Sequence, residues 1–307
     1  MGAIMSIAPV LAPLLGSLVQ VTFGWRANFL AVLGVGLIAT AIVRLFLPET
    51  LNPSSSAPLS ASAILHDYRT LLKNRLLLVY VGIVSTSYAG LFAWISASPF
   101  VLQNLYGLSP LEFGLAFGLA CIGSVIGAGT AASLVTRIGL DRTIGLGAMA
   151  LAGGGLGLVA VIELGSSWAP ALVLAMAVYH AGLGLAMPQA IAGALTPFPE
   201  HAGAASSLVG FVQQSSAALV GAVVGHALGA TAWPLAAAVA AMGAMSFALW
   251  AAWICADQRR HDRPRRTEPV GAASDHPSSV IPPPSATHTS LDLMQINETR
   301  GALTRIR

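Results

Sequence analysis

The sequence predicts an all-α polytopic membrane protein, and three observations support this fold class. Charged residues make up 9% of the chain and hydrophobic residues 55%, whereas ordinary soluble domains carry about 25% charged residues. Mean hydropathy is +0.76, so lipid must be the solvent for much of the surface. Eight apolar runs are long enough to cross a bilayer, and backbone groups in lipid must bond within their own helix.

The basic residues between these runs predict the topology. The runs cover residues 3–22, 27–47, 77–101, 111–134, 142–162, 168–195, 204–229 and 232–255. If the connections alternate sides, Arg26 falls on one side and every other Lys and Arg falls on the opposite side. Cytoplasmic loops retain Lys and Arg, so we expect the basic side and the C-terminus to be cytoplasmic. Basic residues confined to loops and a tail argue against nucleic-acid binding.

Two connections carry local structural signals. The polar stretch 48–76 contains an amphipathic helix from Ala63 to Lys73, which is expected to lie on the inner membrane surface. Before the fourth run, Ser109 suits the N-cap of a helix, Pro110 suits its first turn and Glu112 suits the positive end of its dipole. The tail from residue 257 is rich in Arg, Pro and Ser and is predicted to be disordered.

Small residues recur at four-residue spacing, which places each set on one helix face and lets a second helix approach closely. The sets are Ala8, Ala12 and Gly16; Gly114 and Gly118; Gly123 and Gly127; Gly153 and Gly157; and Gly221, Gly225 and Gly229. Generic packing explains any one set. Together they predict a tight bundle.

Motifs of enzymes and of ATP-driven pumps are missing from the sequence. It has no P-loop, no H-E-x-x-H, no G-x-S-x-G and no paired intramembrane carboxylates. Cys121 and Cys255 have neither metal nor disulfide spacing and are expected to be buried free thiols. The sequence therefore favours a protein that is not an enzyme, needs no cofactor or metal, and transports its substrate with an ion gradient.

Three blocks resemble the Bcr/CflA (bicyclomycin-resistance) drug:proton antiporters of the major facilitator superfamily. Residues 94–114 read WISASPFVLQNLYGLSPLEFG and resemble the family's seventh helix and following loop. Residues 202–213 read AGAASSLVGFVQ and resemble its eleventh helix. Residues 8–16 read APVLAPLLG and, with Gly24-Trp25-Arg26 and the segment 47–50, resemble its fifth and sixth helices.

The resemblance implies a major facilitator fold with eight of twelve helices present. Residues 1–47 would be the last two helices of the N-terminal half, 48–76 the central cytoplasmic loop, 77–256 the six-helix C-terminal half, and 257–307 a basic cytoplasmic tail. The implied function is efflux of hydrophobic or amphiphilic drug-like compounds by proton antiport, in a monomeric multi-pass protein of the bacterial inner membrane. The absent helices would carry the coupling acid, so the chain alone is expected to be inactive.

The resemblance also implies three groups of functional residues. The candidates for the substrate cavity are Tyr88, Trp94, Tyr179, His180 and Gln213. The antiporter packing motif would comprise Pro9, Pro13 and Gly16, and a kinked helix of no special function is the alternative. A degenerate cytoplasmic loop motif would comprise Gly127, Arg137, Gly139 and Arg142. Thr136 replaces the acid of that motif, so a simple positive-inside loop remains equally open.

Two other functions remain open at the level of sequence. A membrane-embedded enzyme or assembly factor would use His180 or Glu163 in a chemical step. A non-functional gene remnant would be degraded rapidly in cells.

Overall fold

The structure is a computed structural model that describes residue 12 and residues 15–47, 61–166, 168–229 and 231–261. Pro9 and Pro13 lie outside the described residues, as do most of the first predicted span and the tail from residue 262. Within the described ranges all regular elements are helices, and seven of these are long and apolar enough to cross a membrane. The predicted helical membrane class is therefore confirmed.

Nine helices are assigned in chain order within the described ranges, and the predicted spans from 27 onward correspond to seven of them. Their bounds are α1, residues 15–23; α2, Trp25–Phe46; α3, Ala61–Lys73; α4, Arg75–Pro99; α5, Pro110–Ile138; α6, Leu140–Glu163; α7, Ala169–Leu195; α8, Ala202–Ala227; and α9, Trp233–His261. A π-helical segment, Phe100–Leu105, continues α4. Helix α9 extends beyond residue 256, where the C-terminal half was predicted to end.

Helices α4 to α9 form one bundle, in which α7 packs against four other helices, α4, α5, α6 and α8. Helix α4 packs against α7, α8 and α9, while α7 also packs against α5 and α6, and α6 packs against α9. The largest fully buried side chains include Trp94 on α4 and Tyr179 on α7. Helix α2 is different, because none of its residues is buried among the described residues. A helix that is apolar on all sides and exposed in this way requires lipid or further protein around it.

The predicted start of α5 is confirmed in atomic detail. The Ser109 side chain accepts a hydrogen bond from the Glu112 backbone N–H, and the Glu112 carboxylate accepts one from the Ser109 backbone N–H at 2.8 Å. Pro110 occupies the first turn. This reciprocal capping box satisfies two backbone donors that the helix itself leaves unpaired.

Glycines bring α7 into backbone contact with its neighbours, as the small-residue pattern predicted for α5. A Cβ at Gly123 would meet the backbone of Ala177, and one at Gly127 would meet the backbone of Ala181. On α6 the prediction was wrong for Gly153, because no described atom lies within 4 Å of the point that its Cβ would occupy. The close glycine there is Gly154, which contacts the backbone of Tyr179.

The other small-residue sets differ in how closely they pack. A Cβ at Gly157 would lie 3.5 Å from the Cβ of Ala175, an ordinary van der Waals distance. Gly221 packs against the Phe92 ring on α4. In contrast, no described atom lies within 4 Å of the point that a Cβ at Gly225 or at Gly229 would occupy. Gly16 also has open space among the described residues. The packing of a glycine therefore depends on which way its helix is rotated.

The two cysteines differ in their surroundings. Cys121 is a buried free thiol on α5, as predicted. The prediction was wrong for Cys255, which is free but exposed. It lies near the end of α9, where fewer residues of the helix are covered by the bundle.

Candidate functional site

His180 lies in the interior of the bundle and is held by two neighbours. Its side chain is 2% exposed. The Nδ1 atom lies 2.8 Å from the backbone oxygen of Met176, and the Nε2 atom lies 3.7 Å from the sulfur of Cys121 on α5. A carbonyl oxygen only accepts, so Nδ1 carries a proton, and in the neutral imidazole the Nε2 lone pair accepts the Cys121 thiol proton.

Tyr179 links α7 to α4. Its hydroxyl donates to the backbone oxygen of Ser87 at 3.1 Å, and it fits there because a Cβ at Gly90 would collide with the phenol. The Ser87 hydroxyl donates to the backbone oxygen of Ile83 at 2.6 Å and lies 3.2 Å from the hydroxyl of Ser246 on α9. Together with the His180 contact, these bonds join α5, α7, α4 and α9 within the apolar bundle.

Trp94 belongs to the same interior, toward the π-helical end of α4. It is fully buried and stacks on Phe117 of α5, with ring centroids 6.1 Å apart. Phe117 is one turn from Cys121, so the Trp94 stack and the His180 pair lie on neighbouring turns of α5. The structure therefore brings Trp94, Tyr179 and His180 into one buried region between α4, α5 and α7.

Tyr88 and Gln213 lie on another side of the bundle, where α4 meets α8. Both are partly exposed. The Tyr88 ring packs on Phe92, at 6.3 Å between centroids. The Ser216 hydroxyl approaches the backbone oxygen of Ser85 at 3.4 Å. Helices α4 and α8 run in the same direction. Gln213 precedes Ser216 by three residues on α8, whereas Tyr88 follows Ser85 by three residues on α4. The two candidates therefore lie on opposite sides of this contact along the helix axes. The structure does not bring Tyr88 and Gln213 together.

The end of the bundle beyond Pro99 contains a cavity of about 380 Å³. Its walls come from the end of the π-helical segment and from the α6–α7 and α8–α9 connections; the lining residues are Leu105, Tyr106, Ile162, Gly165, Ser166, Thr231 and Ala232. The Tyr106 hydroxyl donates to the backbone oxygen of Ser166 at 3.0 Å. Burial raises the pKa of Tyr106 above its ordinary value, so this hydroxyl keeps its proton.

The connection between α5 and α6 holds the predicted loop motif. Gly139 has a φ of 86°, a backbone conformation that glycine adopts at low cost, and it joins the two helices. Arg137 and Arg142 are exposed and make no ion pair with any residue that the structure describes. Gly127 lies in the α5–α7 contact rather than in the connection. A latch role for the two arginines remains a prediction.

Asp141 makes the interhelix contacts of this connection, and the sequence reasoning missed it. Its carboxylate accepts a hydrogen bond of 2.7 Å from the Tyr80 hydroxyl on α4. Its backbone oxygen accepts one of 2.7 Å from the indole N–H of Trp250 on α9. A Cβ at Gly193 would meet the Tyr80 ring, so α7 also packs against Tyr80 at this connection. A sequence signal was available, because Tyr80 and Trp250 are aromatic hydrogen-bond donors at helix ends that are predicted to lie on the same side of the membrane as Asp141.

Comparison with known proteins identifies relatives of this chain. The model of the Major Facilitator Superfamily matches residues 1–220 and 97–290. A bicyclomycin resistance protein homolog of Haemophilus influenzae is 30% identical over 231 residues, which are 75% of this chain and 57% of that protein. A multidrug transporter MdfA of Edwardsiella piscicida is 34% identical over 59% of this chain and 44% of its own length.

A third relative is the multidrug resistance protein MdtL of Citrobacter koseri, which is 31% identical over 71% of this chain and 54% of its own length. The chain thus spans about half the length of the curated relatives that it matches. The region matched by the superfamily includes the α4–α9 bundle, in which all five predicted cavity residues lie.

Proposed function

Since the chain belongs to the Major Facilitator Superfamily, we propose that it forms part of a drug:proton antiporter in the bacterial inner membrane. The names of its relatives, a bicyclomycin resistance homolog and multidrug transporters, support export of drug-like compounds. The protein would bind hydrophobic or amphiphilic molecules as a monomer, require no cofactor, and take its energy from the proton gradient. The basic connections support a cytoplasmic C-terminus.

The observation that carries this proposal is the closely packed α4–α9 bundle with exposed apolar residues on α7. Backbone contacts at Gly123 and Gly127 and the buried polar bonds of α7 join α4, α5 and α7, so we expect the bundle to move as one body. Leu174 and Val178 are 67% and 41% exposed, and Pro188 is exposed further along α7. A closely packed half with exposed apolar residues suits alternating access, in which two halves rock around a site at the membrane midplane.

The buried and partly exposed candidates would then have different roles. Tyr88 and Gln213 have solvent-accessible surface and can contact a substrate through a phenol or an amide. Trp94, Tyr179 and His180 are closed in by α4, α5 and α7 even though α7 carries exposed apolar residues. We assign them the role of holding α7, and hence its exposed apolar residues, in place.

Drug binding and gradient dependence test this function. We expect Tyr88→Ala to weaken binding of a lipophilic drug to the purified chain in detergent, because an aromatic contact is lost. Leu156→Ala is the matched control, since Leu156 is 61% exposed on α6. In membrane vesicles we expect the chain alone to export no drug, and export that persists after a protonophore collapses the gradient would contradict proton antiport. Equal loss of binding in both variants would contradict the assignment of Tyr88.

The enzyme alternative gains no support from the geometry. Gly154 contacts the backbone of Tyr179, next to His180, and Glu163 lies nine residues further along α6, about 13 Å away along the axis. The two groups named for a chemical step therefore do not meet. Among the described residues no cluster of His, Cys, Asp and Glu could hold a metal ion.

A further inference from the structure

Helix α3 is attached to the bundle by one face. Leu71 is fully buried. The Tyr68 hydroxyl lies 2.9 Å from the Ser207 hydroxyl on α8, and the Asp67 carboxylate lies 3.5 Å from Nδ1 of His201, just before α8. At 100° per residue, Asp67, Tyr68 and Leu71 fall within one 100° sector of the helix. This sector fixes the rotation of α3 about its own axis.

The docked orientation leaves two exposed leucines on the side of α3. Leu65 and Leu72 are 52% and 51% exposed and lie within about 20° of each other around the helix. Their direction is about 100° from the centre of the docked sector. The leucines therefore point past α4 and α8 rather than into them. Exposed leucines seven residues apart form an apolar edge that water solvates poorly.

Two cations border this apolar edge on one side. Arg69 and Lys73 are exposed and lie about 50° and 90° around the helix from the leucines, on the side away from the bundle. His66 and Thr70 lie further round, on the remaining exposed side. Leucines bordered by long basic side chains are the arrangement of a helix that lies in a membrane interface, with the leucines among acyl chains and the cations at headgroups.

The position of α3 along the chain places it at the membrane surface. Only Asn74 separates Lys73 from Arg75, where α4 begins, and the Asn74 side chain caps α4 by accepting from the Leu77 backbone N–H at 3.0 Å. Because α4 is a candidate membrane span, its first turn lies near the headgroup level. Helix α3 therefore cannot extend far from the bilayer.

We propose that the edge formed by Leu65, Arg69, Leu72 and Lys73 binds anionic phospholipid headgroups while the opposite face of α3 remains docked on α8. The occupant is the bilayer rather than a protein, because the leucines and the cations lie side by side at the headgroup level, where the first turn of α4 leaves the membrane. Helix α3 thus ties the bundle to the surrounding lipid. This inference is independent of the transported substrate.

Spin labels on α3 of the full chain in nanodiscs test the proposal. A Cys255→Ser background removes the exposed thiol, and the buried Cys121 is the labelling control. Single cysteines at positions 65 and 72 should be more accessible to oxygen than to a nickel chelate, and cysteines at positions 66 and 70 should show the reverse. Equal nickel access at all four positions would overturn the interfacial placement.

Headgroup charge is tested by titrating phosphatidylglycerol into mixed micelles while the label at position 72 is recorded. We expect the combined variant R69Q/K73Q to raise the half-response concentration by about fivefold per removed charge, since each cation contributes about 1 kcal/mol near an anionic surface. The control R137Q/R142Q removes the same charge from another connection and should leave this label unchanged. No response to phosphatidylglycerol, or an equal shift in both double variants, would refute recognition by α3.

Discussion

Replacing Gly123 by Ala should separate α5 from α7, and the structure gives the size of the effect. The added Cβ would meet the backbone oxygen of Ala177 and would lie 2.9 Å from its carbonyl carbon and 3.0 Å from the nitrogen of Ala181. Carbon atoms in favourable contact are about 3.5–4.0 Å apart. The obstructing atoms are backbone, so a rotamer change cannot relieve the clash. The two helices must move apart along their contact.

Gly129→Ala is the matched control on the same helix. No described atom lies within 4 Å of the point that a Cβ at Gly129 would occupy. Both substitutions gain the same helix propensity, up to about 1 kcal/mol, so the difference between the two variants isolates the steric effect. Overpacking of this kind costs about 1–3 kcal/mol. We therefore expect Gly123→Ala to be less stable than Gly129→Ala by that amount.

The assay is reversible unfolding in mixed micelles with increasing dodecyl sulfate, followed by circular dichroism. A second pair provides an independent check, because Gly154 contacts the backbone of Tyr179 while its neighbour Gly153 has open space among the described residues. Gly154→Ala should destabilise the protein, whereas Gly153→Ala should not. If Gly123→Ala and Gly129→Ala unfold at the same dodecyl sulfate fraction, the close approach of α5 and α7 is refuted.

Three further substitutions test individual contacts by the same unfolding measurement. Gly139→Ala should cost about 1–3 kcal/mol, because a φ of 86° with a ψ of 170° is a backbone conformation that only glycine adopts readily; an unchanged midpoint would rule out this turn. Tyr80→Phe removes the hydrogen bond to the Asp141 carboxylate and should cost about 1.5–3 kcal/mol, whereas an equal loss in an Asp141→Ala background, which lacks the acceptor, would show that the bond is not responsible. Cys121→Ala should cost about 1–3 kcal/mol by leaving the His180 lone pair unpaired, while Cys121→Ser keeps a donor and should be milder; the reverse order would contradict the assigned tautomer.

Local sequence signals predicted the helices but not their partners. Hydropathy located the spans, and Ser109 with Glu112 predicted the start of α5, because a capping box involves residues three positions apart. The spacing of glycines predicted close packing on α6 but selected Gly153 instead of Gly154. Helix α7 is apolar on nearly all sides, so its sequence contains no polar face from which its rotation could be read.

The sequence by itself determined the membrane class, the limits of most spans and the family resemblance, because these depend on composition, on runs of about 20 apolar residues and on local motifs. Only the tertiary structure decided that His180 pairs with Cys121, that Tyr179 bonds to α4, and that Asp141 joins α4 to α9. These pairs are separated by 59 or more residues in the chain. Their contacts depend on how each helix is rotated and crossed against its neighbours, and side-chain packing across the whole bundle sets that geometry.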